Sequence, residues 1–364
     1  MGQLGRLGGL RRNAWRCVGL AAMALLAACS RSELGGCRET DSACVANAYS
    51  KHQVRKASFW AEELAKPRSA RMGPAPDALL DFLALGNLVD GFKERPRSAV
   101  LDPAFKADVQ AALDEIPSDV WKLAQSRLVG IYFVEQLGGT GLTDYVLGPN
   151  GQPTHAFVVL DAAVLGALQA NAWATWKENT PFKLQPQSRD TLTATIANPE
   201  HNNRKSAIQY LLLHELAHVI SVGRKVHPNW GVPAVRPATG QYRFFDLSWT
   251  VNNSQTAYVS AFDTAWPQRK DVVYYRGAKL LASDMASTYQ ALTKTNFPTL
   301  YAATVPGDDF AESLVNYVHT VRMGKPWRIS IQRDADVVQT VEPCWAEERC
   351  APKRKLLEAI LAGS

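Results

Sequence analysis

The stretch Tyr210–Val222 is apolar except for His214, Glu215, His218 and Ser221, and its three ionisable residues are spaced H-E-x-x-H. Its length and composition predict a buried helix. That constrains the chain more than any other feature, because a helix this apolar must be surrounded by other elements. Residues four apart lie one turn above each other, so His214 and His218 share a face. Both imidazoles can then reach one metal ion, with Zn–N bonds of about 2.0–2.1 Å. Glu215 falls beside such a metal and not on it, where it can take a proton from an activated water. The alternative is a buried helix whose histidines only hydrogen-bond.

The motif resembles that of the zincin metallopeptidases, and a catalytic zinc site of this kind needs a third protein ligand. The residue six beyond His218 is Arg224, which departs from the metzincin pattern. His227, in a loop with Pro228, is one candidate for the third ligand. A second lies in Gly307–Val318, which reads as a capped amphipathic helix. Pro306 and Gly307 break the chain before it, and Asp308 or Asp309 caps it. Glu312 and Asn316 sit one turn apart beside an apolar face of Phe310, Leu314, Val315 and Val318. A Glu there is either solvated at the edge of that face or held by a cation. This arrangement resembles the second zinc helix of the gluzincins, and the resemblance implies a Zn²⁺ site of His214, His218 and Glu312. Asn316 stands where that family often has an Asp bonded to a ligating His; it can still accept an imidazole N–H, without the charge. Asp246, Asp263 and Asp308 are rival oxygen ligands, as in an aspzincin-type site. The resemblance further implies a zinc metalloendopeptidase acting on peptide or protein, with Glu215 as base and a Tyr or His steadying the oxyanion. Tyr317 and His319 are nearest to the Glu312 helix in sequence; Tyr242, Tyr258 and His227 are rivals.

The first residues read as an address label. Arg6, Arg11, Arg12 and Arg16 precede a short apolar stretch, Val18 to Ala28, too short for a spanning helix of ~20 residues. Leu26-Ala27-Ala28-Cys29 resembles the lipobox of bacterial lipoproteins. The resemblance implies cleavage before Cys29, lipidation of that cysteine, and a membrane anchor that does not span. Ser30 in the next position implies the outer membrane. Processing there leaves 364 − 28 = 336 residues. It also removes four Arg and no acid, so the formal charge falls from +6 to 6 − 4 = +2, which speaks against nucleic acid as a partner. Cys37, Cys44, Cys344 and Cys350 remain in a chain bound for an oxidising compartment. Their spacing suggests two short loops, Cys37–Cys44 and Cys344–Cys350, although sequence leaves three connectivities open.

Four regions are expected: a signal peptide at 1–28, a helical extension at 29–97, a catalytic domain at 98–335, and a C-terminal disulfide loop and helix at 336–364. Within the catalytic region Leu128–Leu137 predicts a strand. Tyr145–Leu147 and His155–Leu160 predict a hairpin around Asn150-Gly151. Asp161 caps a helix running toward Trp176, and Thr191–Ile196 is a further strand. The fold expected is α+β and zincin-like, with a small mixed sheet. Zincins lay substrate along a sheet edge, for which either Thr191–Ile196 or the hairpin is a candidate. A function from a different class is a non-catalytic envelope lipoprotein that uses this fold as a binding or assembly module. Retention of Glu215 speaks against it, because a structural zinc site has no need of that residue.

Overall fold

The computed structural model describes residues 33–67, 70–230 and 233–363. The expected signal peptide and Cys29 lie outside these residues. The fold is α+β, and from Glu33 onward the chain packs as one unit.

Leu128–Glu135 is buried along nearly its whole length, which marks a strand covered on both faces. Its neighbour on one side is Pro153–Asp161, parallel to it, and Gly141–Leu147 then pairs antiparallel as the outer strand. On its other side Met72–Pro74 pairs parallel and Arg97–Ser98 antiparallel. The expected hairpin is therefore present and forms one rim of the sheet.

Side chains alternate between two cores, as a period of two demands. Ile131, Phe133, Val158 and Leu160 face the H-E-x-x-H helix, Arg204–Ser221, in the main core. Tyr132, Val134, Phe157 and Val159 face Leu79, Phe82 and Leu83 of the helix Asp77–Asp90 in the second. The region expected as an accessory collar thus covers the back of the sheet and lends it two strands.

The strand Asp190–Thr195 belongs to a different sheet, with Arg328–Arg333 beside it and Asp336–Val341 beyond. Its outer edge is occupied by the helix Ala170–Asn179. Asn171 Oδ1 accepts from Ile196 N–H at 2.8 Å, Thr175 Oγ1 from Ala194 N–H at 2.9 Å, and Asn179 donates to Leu192 O at 3.1 Å. That edge is not available to a peptide, and the hairpin is the remaining candidate.

Asp161 caps as expected, accepting from Ala163 and Val164 N–H at 2.9 and 3.0 Å, but the helix after it is two pieces, Ala162–Ala167 and Ala170–Asn179. Both expected disulfides are formed, Cys37–Cys44 and Cys344–Cys350. Among the described residues no helix is long and apolar enough to cross a membrane.

Candidate metal centre

Two helices build the site. Arg204–Ser221 starts at Asn203, whose side chain accepts from Ser206 N–H at 3.0 Å, and it is buried on almost every side. Pro306–Tyr317 packs against it, with Pro306 at its first position, where the missing N–H costs nothing. The second helix is locked from behind by a wholly buried pair, Lys353 Nζ to Asp309 Oδ1 at 2.5 Å. Trp249 Nε1 adds a bond to Asp309 Oδ2 at 2.9 Å. Asp309 is thereby committed to the core, and its neighbour Asp308, with Glu312 one turn on, faces the histidines.

His214 Nε2 and His218 Nε2 lie 3.3 Å apart, and His218 Nε2 lies 3.4 Å from Asp308 Oδ1. Thr304 Oγ1 holds the other carboxylate oxygen of Asp308 at 3.1 Å. The ligand atoms of His214, His218 and Asp308 all fall within 4.8 Å of one another. Two donors on a tetrahedral zinc, each at about 2.05 Å, are separated by roughly 3.3–3.4 Å. The His214–His218 and His218–Asp308 separations match that edge.

The structure departs from expectation at Glu312. Its carboxylate lies behind the cluster: Oε1 is 3.0 Å from His214 Nδ1 and 3.1 Å from Lys177 Nζ, and Oε2 accepts from Thr299 Oγ1 at 2.6 Å. Burial opposes its ionisation, but the Lys177 charge, the adjacent His214 and the Thr299 bond prevail and hold its pKa down at about 2. The His214 Nδ1–Glu312 pair is close but lacks hydrogen-bond geometry, and the opposite ring atom, Nε2, converges with His218 Nε2 and the Asp308 carboxylate, a set that could hold a cation. Burial lowers the His214 pKa, but the adjacent Glu312 and the charges of Glu215 and Asp308 raise it on balance. The negative field that would favour a proton there favours a metal equally.

Lys177 carries the network further back. Its Nζ is 3.3 Å from Glu178 Oε1, and Glu178 Oε2 accepts from Tyr289 and Tyr274 hydroxyls at 2.7 and 2.8 Å. All of these groups are buried.

Glu215 lies on the sheet side of the helix. Its Oε2 accepts from Thr143 Oγ1 at 2.6 Å, and Thr143 Oγ1 is also 3.2 Å from its backbone oxygen. Gly141 leaves room for this carboxylate, because a Cβ on it would meet Glu215 Oε1 at 2.5 Å and push the side chain aside. The glycine cluster at 138–141 is therefore a turn whose last residue makes room for a carboxylate.

Three further expected residues stand elsewhere, and a fourth, His227, lies beside His218. Asn316 Oδ1 accepts from Trp345 Nε1 at 2.7 Å, and it is Glu312 that stands behind the His214 imidazole. Tyr317 donates to Glu358 at 3.0 Å on the side of the C-terminal helix. His319 Nε2 bridges Ile196 O and Pro326 O at 2.9 and 3.0 Å, and burial pushes its pKa down to about 4. Both serve the fold because their helix has turned them away from the site. His227 Nδ1 donates to Pro228 O at 2.7 Å, its Nε2 has no partner among the described residues, and burial lowers its pKa to about 4.

Sequence reasoning missed Tyr301. Its ring stacks on His214 with centroids 5.6 Å apart and an interplanar angle of 22°. Burial raises its pKa well above the usual phenol range, and the charges of Asp308, Glu215 and Glu312 reach it as well. The available signal was a tyrosine one short 3₁₀ turn ahead of the Pro306 helix.

Comparison with protein-family models, with curated proteins and with solved structures finds no match.

Proposed function

We propose that the chain is a zinc-dependent peptide hydrolase with a zincin-like catalytic fold, and that its metal ligands are His214, His218 and Asp308. The observation that carries this reading is the convergence of two imidazole nitrogens and a carboxylate, with two of their three separations at tetrahedral-edge spacing and the Glu215 charge acting on His214. Two His and one carboxylate leave the open position that a hydrolytic zinc site needs. Bound there, zinc would supply Lewis acidity, lowering the pKa of a water and polarising a peptide carbonyl.

The remaining work falls to the chain. Glu312, 3.0 Å from His214 Nδ1, places a negative charge behind that imidazole. Thr143 and Gly141 hold the Glu215 carboxylate in place, where it accepts the proton of the attacking water and delivers it to the leaving amine. Tyr301, whose ring stacks on His214, is the hydroxyl we assign to the developing oxyanion. Gly141–Leu147, the sheet edge beside Glu215, offers main-chain pairing to an extended peptide. The expected lipid anchor at Cys29 and the outer-membrane location remain part of this reading. They are supported by the lipobox-like residues 26–29, and the two disulfides fit an oxidising compartment.

Incubating the zinc-loaded full chain with short unstructured peptides tests the reading by product analysis. Glu215→Gln should keep the metal and lose hydrolysis. Equal activity in that variant sinks the assignment, and a wild type that cuts nothing favours a binding module.

A further inference from the structure

The edge strand beside Glu215 has two unlike ends. Asp161 N–H donates to Thr140 O at 2.8 Å, which sets the phase of the antiparallel ladder between Gly141–Leu147 and Pro153–Asp161. In such a ladder alternate residues turn N–H and C=O away from the partner strand. Leu142 and Asp144 therefore bond inward, and Gly141, Thr143 and Tyr145 turn outward. The outward main-chain groups of Gly141 and Thr143, next to Glu215, have no protein partner among the described residues.

Toward Tyr145 the same edge is filled. Tyr145 N–H donates to Asp144 Oδ1 at 2.8 Å, and Leu147 O accepts from Ala57 N–H at 2.9 Å. Arg55 and Tyr49 close on Asp144 Oδ2 at 2.7 and 3.2 Å. Trp230 stands against the rings of Tyr145 and His218, with centroids 5.3 and 5.6 Å away. Arg55 and Asp144 are both buried, so this end is built around an ion pair that cannot open without stranding a charge.

We propose that the cleft is dead-ended. The segment from Tyr49 to Ala57, together with Trp230, stops an extended peptide at Tyr145, so the protein trims short fragments from the amino end of peptides and does not cut chains in their middle. This rests on the hydrolase reading above. Antiparallel pairing gives a guest strand reciprocal bonds at Gly141 and Thr143, and it runs the guest's amino end toward Tyr145. Glu215 marks the reacting bond near Thr143. At ~3.3 Å per residue, the two steps from Thr143 to Tyr145 leave about 7 Å, room for about two residues ahead of that bond. The C–N bond after this short fragment breaks. The attacking water adds its oxygen to the carbonyl carbon, and its proton passes through Glu215 to the new amine of the longer piece.

The test presents one short unstructured casein segment in three forms: free, fused at its carboxyl end to a folded carrier, and fused at its amino end. Hydrolysis is read on the zinc-loaded full chain, and binding on its Glu215→Gln variant. Amino-end fusion is expected to lower both by at least roughly tenfold, and carboxyl-end fusion to leave them within a few-fold. Trp230→Ala should recover part of the loss. Equal handling of all three forms, or a loss confined to carboxyl-end fusion, overturns the proposal. Asymmetric binding without any cleavage keeps the dead-ended cleft and overturns the hydrolase reading; neither binding nor cleavage overturns both.

Discussion

Replacing Lys177 by Met should damage this protein more than replacing either of its carboxylate partners. Lys177 Nζ sits 3.1 Å from Glu312 and 3.3 Å from Glu178, and it lies over the Tyr301 ring, 4.6 Å from the centroid. One ammonium thus serves two buried carboxylates. Met fills much of the same volume, but both acids are then left facing each other without a counter-charge. Removing one partner of a buried pair costs about 3–5 kcal/mol, because the remaining charge has lost its water and gained nothing. Glu312→Gln should cost less, roughly 1–2 kcal/mol, since Lys177 keeps Glu178 and the Gln amide oxygen can still accept from Thr299. Urea unfolding of both variants measures the difference at constant temperature. A loss of about 3 kcal/mol or more for Lys177→Met takes a large share of a typical stability of about 5–15 kcal/mol. If Lys177→Met lies within about 1 kcal/mol of wild type, or below Glu312→Gln, the two carboxylates are not both ionised and the network is misread.

Gly141→Ala forces its new Cβ against Glu215 Oε1 at 2.5 Å and Leu211 Cδ1 at 3.0 Å. Peptide hydrolysis should fall by about 10–100-fold with zinc retained, as a displaced base implies; unchanged kcat argues against the role given to Glu215. His319 supplies a pH dependence remote from the metal. Its pKa, lowered by burial to about 4, lies below that of an unfolded His, so the unfolded chain binds more protons between about pH 6.5 and 4. Its contribution is full above that window and is lost as pH falls through it, by about 3 kcal/mol at most. His319→Gln should flatten this part of a stability–pH curve, and an unchanged slope contradicts the buried neutral histidine.

Much of the site was legible because local chemistry dictated it. An H-E-x-x-H run in apolar sequence has to be a buried helix, and Pro306 with two acids after it has to start another. Which acid on that second helix faces the two histidines was not legible. Asp308 and Glu312 lie one turn apart on the same face. The choice between them depends on Lys177, more than a hundred residues earlier, drawing Glu312 back, and on Lys353 drawing Asp309 into the core. Sequence adjacency likewise favoured Tyr317 and His319 over Tyr301, although a helix turns its later residues away from a site at its start. The hairpin was clear from Asn150-Gly151 and flanking apolar residues. That its rim is the open edge depends on Asn171, Thr175 and Asn179 filling the rival edge, a tertiary fact with no local signature.

The central claim is tested most directly by the zinc content of the purified full chain beside its Asp308→Ala and Glu312→Ala variants. About one zinc per wild-type chain is expected, lost in Asp308→Ala. Glu312→Ala should still bind, some 10–100-fold more weakly, as befits a residue behind the ligand. Full occupancy in Asp308→Ala with none in Glu312→Ala would contradict the account.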